Sequence, residues 1–340
     1  MTATTSPAPA GTDPGGLPDV RRPARRARRR TPVERGASRV FRWVSTGSGA
    51  LILVVLAAVA VFLVAKALPA LTSSSDELVA GVAFMRNSSS LAGYVGPLVF
   101  GTVLAAALAL LLAVPVAIAV ALFTSHYAPR RLAQGLGYVV DLLAAVPSVV
   151  YGLWGAMVLA PFIQPLWGWL NEFLGWIPLF GGTVSPTGRV IATVAVVLAV
   201  MILPIITAVS REVFLQTPRL HEEAALALGA TRWETIRLTV LPFGRSGVVS
   251  AAMLGLGRAL GETMAVLMIL SQGFLYSFLL LVAGQQQTIA ANIAAQFPEA
   301  SDLGMSVLIA TGLALFVITL VVNMAARAIV ARRKDFSGAN

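Results

Sequence analysis

Residues 211–246 read REVFLQTPRLHEEAALALGATRWETIRLTVLPFGRS and separate two long apolar runs. Their punctuation predicts two short helices. Thr217 suits an N-cap, and Pro218 suits a first helical position, where its missing N–H costs nothing. Leu220, Ala224, Ala225 and Leu228 fall along the first helix, and Gly229 supplies the left-handed residue that ends it. Thr231-Arg-Trp-Glu234 has the form of a capping box. The second helix then carries Trp233, Ile236 and Val240 on one face and is expected to stop by Pro242. Two helices and a turn invite a DNA-binding reading. A helix-turn-helix domain, however, needs a third element and its own core, and this segment is too short for either. The other reading is a docking elbow whose apolar side holds it to its neighbours, with Glu222 and Glu223 turned toward a partner.

The rest of the chain favours the elbow. Of 340 residues, 57% are hydrophobic and 12% are charged, with a mean hydropathy of +0.82. A soluble domain carries about 25% charged residues, so this composition argues against a soluble enzyme. It also excludes a disordered chain, which needs low hydrophobicity. There is no cysteine, which excludes disulfides and thiolate chemistry. His126 and His221 do not form a close pair, so no metal site is expected. Neither Lys66 nor Lys334 follows a glycine, so the chain has no phosphate-binding loop of the GxxxxGK[ST] form. Any ATP hydrolysis, with its magnesium, therefore belongs to another chain, and no cofactor is expected here.

A spanning helix needs about 20 apolar residues. Stretches 46–65, 87–129, 190–210 and 303–326 contain no Asp, Glu, Lys or Arg. The stretch 132–171 contains only Asp141, and 246–298 only Arg258 and Glu262. These predict an all-α integral membrane protein with six spans, near 48–70, 94–124, 134–162, 189–210, 247–271 and 304–328. The first run is too long and begins too late for a signal peptide, and is read as an uncleaved helix.

The net charge of +10 first suggests nucleic acid, but its placement does not. Ten arginines lie between Arg21 and Arg42. With a cytoplasmic N-terminus, 21 of the 25 basic residues fall inside and three outside. That asymmetry sets both termini in the cytoplasm and predicts no nucleic-acid partner. Residues 1–45 are expected to be a disordered arginine-rich tail, which anchors the topology or binds anionic lipid. Residues 46–330 form the membrane domain, with 211–246 as its inner elbow, and 331–340 form a second cytoplasmic tail.

Between the third and fourth runs, Trp167, Trp169 and Trp176 predict a short helix on the outer surface, serving as an interfacial anchor or touching an external partner. Residues 271–303 extend the fifth helix or make a half-buried return. Asp141 caps or pairs near the inner interface, or belongs to an inner gate. Pro115 and Pro147 are expected to kink their helices.

Arg258 and Glu262 are the charges that the membrane makes expensive. One helical turn separates them, in Gly255-Leu-Gly-Arg258-Ala-Leu-Gly-Glu262. They either lock helices together as a neutral pair or line an anion path. Guanidinium offers a planar fork of donors to an oxyanion, and Glu262 would position it. Gly255, Gly257 and Gly261 are expected to let a neighbouring helix approach closely.

Several of these residues carry a family resemblance. Glu223-Ala224-Ala225, then Gly229, then Leu241-Pro242 resemble the EAA loop of ABC importer permeases. Thr239 stands where that pattern has Ile. Residues 257–266 (GRALGETMAV), 145–152 (AVPSVVYG), 97–102 (PLVFGT) and 316–323 (FVITLVVN) resemble phosphate importer permeases of the PstC type. The resemblance covers roughly residues 45–330 and implies a type I ABC importer fold with inorganic phosphate as substrate. It also implies a sister permease of the PstA type, two nucleotide-binding subunits of the PstB type, which hold ATP and magnesium, and an external binding protein of the PstS type. Glu223, Ala224, Ala225 and Gly229 would then couple to the ATPase subunit, and Arg258 and Glu262 would line the substrate path. A secondary anion transporter or channel, working without an ATPase, is the rival reading.

Overall fold

A computed structural model describes residues 36–331. Among these, every regular element is helical. In chain order they are α1 (Gly36–Thr72), α2 (Ser75–Gly81), α3 (Leu91–Leu122), α4 (Arg130–Ala144), α5 (Ser148–Trp154), α6 (Ala160–Leu174), α7 (Ile191–Leu215), α8 (Arg219–Ala227), α9 (Arg232–Thr235), α10 (Leu241–Leu260), α11 (Met264–Ile269), α12 (Ile289–Gln296) and α13 (Asp302–Ala331). π turns at Phe123–Tyr127, Gly155–Leu159 and Ile236–Val240 follow α3, join α5 to α6, and join α9 to α10.

Six of the described stretches are long and apolar enough to cross a membrane: Val40–Thr72, Leu91–Tyr127, Ser148–Leu174, Ile191–Leu215, Arg232–Leu260 and Asp302–Ala328. The chain divides into two compact units at Val55 and Leu56. The described part of the first, residues 36–55, is helical. Residues 36–45 therefore correct the expected disordered tail, which otherwise lies outside the described residues. The C-terminal tail from 332 onward also lies outside them.

The hydrophobic clusters all lie in the second unit. At its centre stands α7, with 72% of its most apolar window buried, against 22% to 28% for the other spans beyond residue 56. The residues facing it explain how it fits. On α3, Ala105, Ala109, Ala113, Ala117 and Ala121 repeat every four residues and are buried. This stripe of small side chains brings two backbones close, which matters where lipid removes most of the hydrophobic drive between helices. On α10, a Cβ on Gly244 would meet the Phe214 ring at 2.6 Å, and one on Gly255 would meet Ile206 at 2.8 Å. Both neighbours belong to α7.

Two expected spans are shifted. The third was expected over 134–162, but the helix breaks after α4, and the span is Ser148–Leu174. Pro147 is the physical reason, because a proline disfavours helical geometry at the residue before it. Trp167 and Trp169 consequently lie on α6, which continues this span, and not on a separate surface helix. Trp167 is buried and donates its indole N–H to Thr193 Oγ1 at 2.9 Å. Pro115, by contrast, lies within a helix that continues through it.

The fifth span begins earlier and ends earlier than expected. It runs through Pro242 where a stop was predicted. The π turn just before that proline accounts for this: Leu241 N–H bonds to Ile236 five residues back. A wider turn relieves the clash that a proline ring makes with the preceding turn. At the other end α10 stops at Leu260. Residues 270–285 return outside any helix, with Leu280 N–H bonded to the Leu179 carbonyl and Ala192 N–H bonded to the Leu280 carbonyl. The half-buried return is the reading that holds, and the helical extension does not.

Replacing Ala113 by Leu is expected to destabilise the protein by about 1–3 kcal/mol, because the α3–α7 contact has no room for the added volume. Thermal unfolding of the detergent-solubilised protein measures this. An unchanged midpoint would show that the alanine stripe does not set the helix separation.

Candidate functional site

The elbow forms largely as its residues dictate. Helix α8 begins after Pro218. Thr217 does not cap it; its hydroxyl is buried without a partner, and no side chain caps the helix start. The helix end follows the sequence closely. Gly229 takes a φ of 87°. Its N–H bonds to the Leu226 carbonyl at 3.0 Å, and Ala230 N–H bonds to Ala225 at 3.1 Å. These two bonds make a Schellman motif, which uses the last free carbonyls of the helix. The capping box also forms, with Thr231 N–H on Glu234 Oε2 at 2.8 Å and Glu234 N–H on Thr231 Oγ1 at 3.3 Å.

Ile236 and Val240 are buried against Phe214, Ala121 and Leu122, but Trp233 is exposed and leaves the face assigned to it. Thr239 donates its hydroxyl to the Thr235 carbonyl at 2.7 Å, so this departure from Ile is satisfied within its own helix. Helix α8 itself buries no residue. Glu223, Ala224 and Gly229 are exposed and Ala225 is half-buried. Leu220 and Leu228 are 74% and 89% exposed, too apolar to be left in water without cost. Beside the helix, a groove of about 310 Å³ is lined by residues that include His126, Phe214, Arg219, Glu222 and Glu223.

The second pair of residues sits at a break in a helix. Arg258 is in the last turn of α10, where a cation complements the partial negative charge of the helix end. Glu262 is buried just beyond the break. Its Oε1 accepts the Ala265 N–H at 3.0 Å and so caps α11. The expected ion pair between the two is corrected: none forms within 4.0 Å among the described residues, because the helix stops at Leu260 and they no longer share one face. Tyr151 of α5 donates its hydroxyl to the Leu143 carbonyl at 2.9 Å. The other end of α11 is held by Arg189, which donates to Met268 O at 2.7 Å and Ile269 O at 3.3 Å. This short helix thus has an acceptor at its start and a donor at its end, which meet its free backbone N–H and C=O groups.

Of the three glycines expected to admit a neighbour here, Gly255 does. A Cβ on Gly257 would meet nothing within 4 Å, and one on Gly261 would meet only the Gly257 carbonyl at 3.6 Å. The close approach falls instead at Gly152 of α5, where a Cβ would lie 2.7 Å from Ala265 Cα.

The sequence reading missed Tyr151, Arg189 and the buried pair Gln286 and Gln287. The polar run 285–287 inside an apolar stretch was the available signal for the last two. Nothing local marks Arg189, whose partners lie about 80 residues away. Asp141 is exposed and lines a cavity of about 260 Å³ with Thr207, Arg211 and Glu212. Among the described residues no His, Asp or Glu cluster could hold a metal ion.

Six spans, a central buried helix and an exposed helix between the fourth and fifth spans define a polytopic transport component. Residues 113–335 match the family described as "Binding-protein-dependent transport system inner membrane component". The chain belongs to this family, and it is a multi-pass inner-membrane protein. It is similar to the "Phosphate transport system permease protein PstC 2" of Mycobacterium tuberculosis, with 48% identity over 302 residues, covering 88% of this chain and 93% of the relative. The PstC protein of Mycobacterium leprae is 47% identical over 274 residues, covering 79% and 86%. That of Mesorhizobium japonicum is 38% identical over 331 residues, covering 93% and 98%.

The two glycines of α10 give a direct test of the geometry. Gly257→Ala is expected to be neutral or to stabilise by up to about 1 kcal/mol, through helix propensity. Gly255→Val is expected to lower the unfolding temperature and the yield of folded protein, because Ile206 stands in its way. Equal behaviour of the two variants in a thermal-shift assay would contradict the α7–α10 packing.

Proposed function

We infer that this chain is the permease subunit of an ATP-driven importer of inorganic phosphate. It forms part of the membrane pathway and is not itself an enzyme. The similarity to phosphate permeases over nearly the whole chain carries this reading, and the six spans and family match agree with it. Nothing in the chain favours a transporter or channel that works alone.

The finer assignments are proposals built on the site. Glu223, Ala224, Ala225 and Gly229 couple the chain to a nucleotide-binding subunit. The support is that α8 buries nothing of its own, exposes leucines and is fixed at its end by a Schellman motif. ATP and magnesium reside on two such subunits. A sister permease supplies the other half of the pathway, and an external binding protein delivers phosphate. Both termini are cytoplasmic, on the strength of 21 basic residues against three. Movement of α8 passes into α7 through the chain before it and into α10 through the π turn after it.

Arg258 and Glu262 form the polar part of the path. A discontinuous helix in a membrane exposes polar ends where a substrate passes. Arg258 carries the positive charge that phosphate needs, and Glu262 holds the start of α11, so the two act on either side of one break.

Two measurements test these roles. Glu223→Lys is expected to separate ATP hydrolysis from phosphate uptake in cells that depend on this importer. Unchanged uptake would remove the coupling role. Arg258→Gln is expected to lower uptake at least tenfold, about 1.4 kcal/mol in transport free energy, with a folded complex still recovered. Normal uptake at saturating phosphate would sink the assignment of Arg258 to the path.

A further inference from the structure

His126 takes no part in the roles above, yet it stands where the second span meets the exposed helix α8. The π turn Phe123–Tyr127 carries it. Such turns widen a helix by one residue and re-aim its side chains. His126 Nε2 lies 3.6 Å from Glu222 Oε1, on α8. Its Nδ1 lies 2.7 Å from Ser125 Oγ. The His126 and Glu222 side chains are 14% and 27% exposed, so water screens them less than a surface pair.

The protons of this trio can be counted. Ser125 has one hydroxyl proton. Its Oγ lies 2.8 Å from the Ala121 carbonyl, an acceptor. If the hydroxyl donates there, Nδ1 must donate to Ser125. Nε2 then faces a carboxylate, and the contact is favourable only if that nitrogen is protonated too, which makes the ring a cation. If the hydroxyl turns to Nδ1, the ring is neutral and its proton sits on Nε2. In both favourable arrangements an Nε2 proton faces Glu222.

We infer that His126 and Glu222 form a polar link that carries movement of α8 directly to the second span. The link is separate from the two covalent routes out of α8, which lead to α7 and α10. It rests on the coupling role proposed for α8. His126 is a positioning residue: it touches no substrate and holds the coupling helix to a span that the chain reaches only through four intervening elements. Glu222 is the coupling helix's inward-facing carboxylate, and Glu223 beside it stays exposed.

The test uses the whole transporter in liposomes and reads phosphate delivered per ATP hydrolysed. His126→Leu and Glu222→Gln are each expected to lower that ratio about fivefold, with the ATPase subunits still co-purifying. His126→Arg keeps a donor opposite Glu222 and is expected to retain the ratio. The charge-swapped double variant, His126→Glu with Glu222→Arg, is expected to recover most of it. A merely structural role would show as lost assembly of the ATPase subunits and not as a lowered ratio in an assembled complex. A double variant no better than either single one overturns the link, as does native coupling in His126→Leu. If His126→Leu fails to assemble, the swapped pair decides alone against Glu222→Arg. Glu223→Lys separates the two inferences. If it couples normally, the role of α8 fails; if it uncouples while the His126 series matches native protein, only the link fails.

Discussion

The close contact of α7 with α3 and α10 is the constraint on which the rest of this molecule depends. In a lipid layer the apolar effect does little to press helices together, so shape has to do it. Here one partner offers a ladder of alanines and the other offers Gly244 and Gly255. The large side chains of α7, including Ile202, Ile206 and Phe214, fill the space left by these small residues. A central helix gripped in this way is held against both neighbours along its length. Its C-terminal end leads straight into α8.

The same economy explains the breaks. A membrane protein must satisfy its backbone polar groups internally wherever a helix stops. Helix α11 shows how this is done. Glu262 takes an N–H at its start, and Arg189 takes two carbonyls at its end. The non-helical return beyond it is tied by backbone bonds to residues 179, 189 and 192. The charges are therefore tied to discontinuities, and Arg258 at the end of α10 belongs to the same set. A helix broken within a span thus satisfies its freed polar ends inside the protein and not in lipid.

Much of this was legible in the chain. The lengths of the uncharged runs gave six spans. The order Pro218, Gly229, Thr231 and Glu234 gave the elbow, and its Schellman motif and capping box formed as those residue types require. These signals are local, and each depends on residues within one or two turns. The failures were also consistent in kind. Composition marks Pro242 as a stop, because the π turn before it leaves no trace in residue type. Counting charges alone places the third span too early, because an amphipathic helix, α4, then merges with an apolar run. Glu262 was assigned to Arg258 because four-residue spacing means one face only while the helix continues.

The sequence by itself determined that the chain is a membrane protein, how many times it crosses, and which segment stands between the fourth and fifth spans. Those properties follow from hydropathy, caps and charge placement, which act over short distances. Tertiary structure alone decided which glycines are contacts, which tryptophan is buried, and what the two membrane charges hold. Each of those depends on a neighbour far away in the chain, such as Ile206 for Gly255, Thr193 for Trp167 and Met268 for Arg189, and on where a helix breaks. No local pattern specifies such a partner, because it is chosen only when the helices pack.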